Sequence, residues 1–157
     1  MRERAVSVPI NYTLSLVIVT LLLSGLVIVT TDQLQTQQER TVESDFSVLS
    51  NRMAADLTAA DRLAQTTGGT ERDTVAVRTE TPSTSAGSSY TVQINSTELE
   101  NDAHAVTVRM EASRLDVTQE VGLKTDTPVR NTTIVGGDYV VRYVGDDTPD
   151  ELEVDND

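Results

Sequence analysis

The chain has 157 residues, room for one modest domain beside any long apolar segment. Its 25 Asp and Glu against 12 Lys and Arg give a formal net charge of −13, which argues against a nucleic-acid partner because a polyphosphate would repel it. With no cysteine, disulfides, thiol catalysis, zinc–thiolate sites and iron–sulfur clusters are excluded.

The N-terminus reads "MRERAVSVPINYTLSLVIVTLLLSGLVIVTTDQ". Arg2 and Arg4 precede an uncharged run from Ala5 to Thr31, and Pro9 to Thr31 alone supplies 23 residues rich in Leu, Val, Ile and Thr. About 20 such residues suffice for a membrane span, so the expectation is a transmembrane helix over 6–31. Arginines before the run and Asp32 after it put the N-terminus in the cytoplasm and the remainder outside. The run exceeds a secretory signal's apolar region, and the following "DQLQTQQERTVE" offers no Ala-x-Ala cleavage site.

Beyond Asp32 nothing breaks the helix until Gly68-Gly69. Val42, Phe46, Leu49, Met53, Leu57, Ala60 and Ala64 recur at helical spacing, predicting an amphipathic extension over 32–67. Ser44, Asp45, Asn51, Arg52, Asp56 and Asp61 fall away from that stripe. The stripe suits first a helix packed on its own sheet; a face shared with other copies is the alternative.

From Thr74 the period changes to two. "TVAVRTE", "SYTVQIN", "AVTVRME", "LDVTQEVGL" and "DYVVRYV" predict four to six half-buried antiparallel strands over 70–145. Pro82 to Ser89 and Gly136-Gly137-Asp138 read as loops. The predicted fold class is therefore α+β: a long N-terminal helix, half transmembrane and half amphipathic, packed on a small antiparallel sheet. The acidic end, 146–157, predicts a disordered, solvated tail; a calcium site is the alternative, though its spacing matches no EF-hand loop.

No catalytic pattern emerges. His104 is the only histidine, no nucleophile-elbow glycine pattern surrounds a serine, and "TTGGTE" lacks the Lys-Ser/Thr ending of a phosphate-binding loop. The expectation is a non-enzyme with no cofactor and no metal. Of three Asn-x-Ser/Thr triplets, Asn11 lies in the apolar run, whereas Asn95 and Asn131 fall in predicted loops and are candidate N-glycosylation sites.

The residues "RERAVSVP" ahead of an unbroken apolar helix resemble the N-termini of archaeal type IV prepilins and pilin-like proteins. "NYTLSL", "AADLTAADRLAQ", "GSSYTV" and "GGDYVVRY" resemble a haloarchaeal pilin-like membrane family without an established activity. Eleven arginines against the single Lys124 fit a carboxylate-rich surface in high salt, where screening relieves self-repulsion. The resemblance implies a five-residue leader, 1–5, cut by a prepilin peptidase between Ala5 and Val6, with Arg4 as the basic residue. It further implies partners in the membrane and in other pilin-like subunits, met through the N-terminal helix, and a role as a structural subunit of a surface pilus or pseudopilus. Two departures stand out: Ile10 occupies the position where many pilins carry glutamate, and Val8 separates Ser7 from Pro9. A single-pass anchored acidic domain that binds a partner without polymerising is the alternative.

Overall fold

The computed structural model describes residues 4–67, 76–99, 101–144 and 150–157, with side chains of the helix over 11–26 and 33–66. Helix α1 spans Arg4–Thr67. The chain divides into two compact units, Met1–Gln38 and Glu39–Asp157.

In the first unit the expected transmembrane helix is corrected. Among the described residues no helix is long and apolar enough to cross a membrane. The helical stretch there with described side chains is 11–26. It carries Asn11, Thr13, Ser15, Thr20 and Ser24. The flanking side chains of 6–10 and 27–31 lie outside the described residues.

The second unit is an amphipathic helix on antiparallel sheet. Strands β1 (Ala76–Thr79), β7 (Tyr139–Val144) and β8 (Glu151–Asn156) form one sheet in the order β1-β7-β8. The other runs β2 (Thr84–Ser85), β3 (Ser88–Glu98), β4 (His104–Ala112), β5 (Thr118–Thr125), with β6 (Thr132–Val135) also paired to β3. The small single sheet expected from the sequence is thus, among the described residues, two sheets, one of three strands and one of five. One of the added strands, β2, exists because "PSTSAGSS" is no plain loop: Ala86 and Gly87 take φ of 45° and 77° and close a two-residue hairpin between β2 and β3.

The helical stripe packs as its spacing predicts. Val42, Phe46, Met53, Leu57, Ala60 and Ala64 are buried and Leu49 is half-buried. They meet Tyr90, Val92 and Ile94 of β3, Val106, Val108 and Met110 of β4, and Tyr139 and Val141 of β7. Phe46 and Tyr90 stack tilted, with ring centroids 5.3 Å apart. Valine dominates this core because a chain with three per cent aromatics must fill it with branched aliphatics.

The expected disordered tail is also corrected over its described part. Residues 151–156 form β8, in register with β7 from Val144↔Glu151 to Tyr139↔Asn156. "ELEVDN" keeps a two-residue period: Leu152 and Val154 are fully buried, and the acidic residues between them face outward. Counting charge alone hides that alternation. β8 also ties the sheets together, since Leu152 N–H donates to Pro128 O at 2.8 Å and Arg130 N–H to Leu152 O at 2.9 Å. Residues 146–149 of the predicted tail lie outside the described residues.

Candidate functional site

The feature most in need of a partner is the apolar stretch of α1 in the first unit. Tyr12, Leu14, Leu16, Val17, Ile18, Val19, Leu21, Leu22, Leu23 and Leu26 are exposed, between 48% and 71%. Leu16 to Val19 are consecutive, and four successive helical residues span about 300° of the circumference. The surface is therefore apolar all round, a pattern that belongs to buried helices. Its hydroxyls are turned inward: Ser15 donates to Asn11 O at 2.9 Å, Thr20 to Leu16 O at 2.8 Å and Ser24 to Thr20 O at 2.9 Å. Each bond to the preceding turn satisfies a polar group without water. Gly25 has nothing within 4 Å of where a Cβ would stand, leaving backbone open to close approach.

The second unit offers anchorage rather than chemistry. Asp56 Oδ2 accepts from Tyr139 Oη–H and from Thr79 Oγ1–H, each at 2.7 Å. Burial first, and then the Asp56 carboxylate, hold the Tyr139 hydroxyl well above its usual range. Buried Asp61 accepts the backbone N–H of Thr127 at 2.9 Å and that of Asp126 at 3.3 Å. Asp45 accepts from Ser85 Oγ–H at 2.6 Å. Arg130 bonds both Glu151 and Glu153 and clamps the outer face of β8. Its guanidinium is held above its ordinary range, chiefly by the Glu151 hydrogen bond.

The sequence sets these aspartates apart from the apolar stripe, yet each bonds the sheet side. At 100° per residue, Asp45, Asp56 and Asp61 lie about 60–80° from the centre of the apolar stripe, at its two margins and not opposite it. That angle is the signal that finds them: a short side chain at the margin reaches the sheet beneath.

Among the described residues, no three of His, Cys, Asp and Glu gather to hold a metal ion. Beneath Tyr90, between Leu49, Met53, Met110, Ile134 and Gly136, lies a cavity of about 10 Å³, the size of one water. His104 opens β4, half-buried, opposite Glu98 and Thr125.

Of the sites expected from sequence, Arg4, Ala5 and Val6 have side chains outside the described residues. Asn95 is corrected from loop to strand: it lies exposed on β3, opposite Thr107 of β4. Its exposure comes from strand alternation, with Ile94 buried beside it. Asn131 does lie between named strands, exposed, and its Oδ1 accepts Ser96 N–H at 2.5 Å. The two triplets are therefore neighbours, joined through Ser96.

Residues 1–155 match a family of unknown function (DUF7266). No curated protein matches the chain. No solved structure matches it either.

Proposed function

The chain belongs to that family of unknown function, and we propose that it is a structural subunit, a pilin-like component of a cell-surface assembly, built to associate with other copies of itself. One observation carries the reading: the helical stretch 11–26 is apolar all round and exposed, with Ser15, Thr20 and Ser24 bonded back onto their own helix. In water such a surface is costly, at about 25 cal/mol per Å² of apolar area left uncovered. Packing the same stretch of several copies side by side removes it, and Ser24-Gly25 lets two backbones approach. The Glu39–Asp157 unit keeps a complete core of its own throughout.

In this reading a prepilin-type peptidase removes the leader between Ala5 and Val6, with Arg4 as the recognised base. Mass spectrometry of the N-terminus of protein taken from its host tests it. A mature chain that begins at Val6 supports a processed subunit. An intact Met1 or Arg2 start in assembled material overturns it.

A further inference from the structure

The five-stranded sheet ends on an open edge. Among the described residues β5 pairs with β4 alone, so the other side of an eight-residue strand presents unpaired N–H and C=O groups. Native proteins ordinarily blunt such edges with a bulge, a proline or charged side chains, of which β5 carries Glu120 and Lys124. β5 has no proline and keeps an unbroken register with β4 from Thr118↔Glu111 to Thr125↔His104.

Its sequence is self-complementary about one residue. In an antiparallel pairing of two β5 strands centred on Gly122, Glu120 of each copy faces Lys124 of the other, and Val121 faces Leu123. Glu120 and Lys124 are exposed on the same face, and Val121 and Leu123 half-buried on the opposite one. Neither charge forms an ion pair within the chain among the described residues; Arg109, opposite Glu120, turns to Glu111 at 3.9 Å. Lys124 is the only lysine in the chain. At the centre Gly122 has no side chain, and nothing lies within 4 Å of where a Cβ would stand.

We propose that β5 is a docking edge for a second copy of this chain, joining two sheets into one through a β5–β5 pair symmetric about Gly122. Main-chain hydrogen bonds supply the attraction, and the two Glu120–Lys124 pairs fix the register. A one-residue slip breaks both charge pairs and sets either Glu120 opposite Leu123 or Lys124 opposite Val121, and so the complementarity selects one alignment. This contact is separate from the apolar stretch of α1 and holds whether or not that stretch self-associates.

Because the chain lacks cysteine, a single introduced thiol reports the contact without background. Directly opposed residues at the dyad lie within the Cα separation a disulfide spans. Under mild oxidation the full-length Gly122→Cys variant should form a covalent dimer, while Thr97→Cys, exposed on β3 away from the edge, should not. Adding Lys124→Glu to Gly122→Cys places two like charges opposite one another and should slow cross-linking about tenfold. Adding Glu120→Lys as well restores both pairs with reversed polarity and should recover it. No dimer at Gly122→Cys, equal cross-linking at Thr97→Cys, or indifference to the charge reversal would each overturn the proposal.

Discussion

Tyr139 on β7 donates its hydroxyl to Asp56 on α1 at 2.7 Å, across 83 residues of sequence. This bond fastens the helix to the middle strand of the three-stranded sheet. Tyr139 is 2% exposed, so its hydroxyl has nowhere else to turn. Replacing it with phenylalanine leaves Asp56 with Thr79 alone and should cost about 1.5–3 kcal/mol, the range for a hydrogen bond to a charged group. Chemical denaturation at neutral pH measures the difference.

The same bond sets a pH response. The folded Tyr139 hydroxyl titrates above its ordinary 10.0 because of burial and then of Asp56, and Tyr90 shifts the same way, chiefly through burial. A raised folded value stabilises the fold fully below pH 10 and loses that contribution as pH climbs beyond it. Stability should therefore fall on alkaline titration above pH 10, and Tyr139→Phe should flatten that fall. Melting temperature against pH, for both proteins, gives the comparison.

Asp61 should be costlier to truncate than Asp45. Asp61→Ala strands the backbone N–H groups of Thr127 and Asp126, both of which it accepts, in a site where Asp61 is itself 6% exposed. An unsatisfied buried donor costs about 1–3 kcal/mol. Asp45→Ala, at an exposed position with one bond, should lose less. A pair of urea melts orders them.

Gly136 lies against the Tyr90 ring. A Cβ there would stand 2.5 Å from two ring atoms, and Tyr90 is wedged between Phe46 and the Pro82 carbonyl that its hydroxyl meets at 2.7 Å. Gly136→Ala should destabilise by about 1–3 kcal/mol through overpacking, visible as a lowered denaturation midpoint.

Removing Glu151–Asp157 should abolish cooperative unfolding of the sheet unit. The deletion exposes the sites of Leu152 and Val154, each worth about 1.5–3 kcal/mol buried, and frees the edge of β7. It also removes both carboxylates that hold Arg130. A disposable tail would leave the melt unchanged.

What the sequence displays, and what it conceals, follows from how strongly each segment repeats. The stripe from Val42 to Ala64 and the alternation in β3 and β4 are legible because a long period averages out local exceptions. β8 is concealed because three acidic residues alternate with two apolar ones, and the alternation is short. The β2–β3 hairpin is hidden by its turn, which uses Ala86 at φ 45° where Asn is usual. The span reading of the N-terminus relied on an uncharged run, whereas among the described residues no helix is long and apolar enough to cross a membrane, and 11–26 is dotted with hydroxyls. Asp56 and Asp61 read as solvent-facing by polarity, whereas helical angle decides which side chains reach the sheet.

Sedimentation velocity of the full-length protein beside a Leu16→Asp/Leu22→Asp variant tests the self-association of the apolar stretch most directly. Both leucines are exposed, at 55% and 69%, so the substitutions leave the core of Glu39–Asp157 intact. Packing of that stretch between copies predicts species larger than a dimer for the unaltered chain, and nothing beyond a dimer for the variant. An unaltered chain no larger than a dimer, or a variant that sediments like it, would contradict the proposed function.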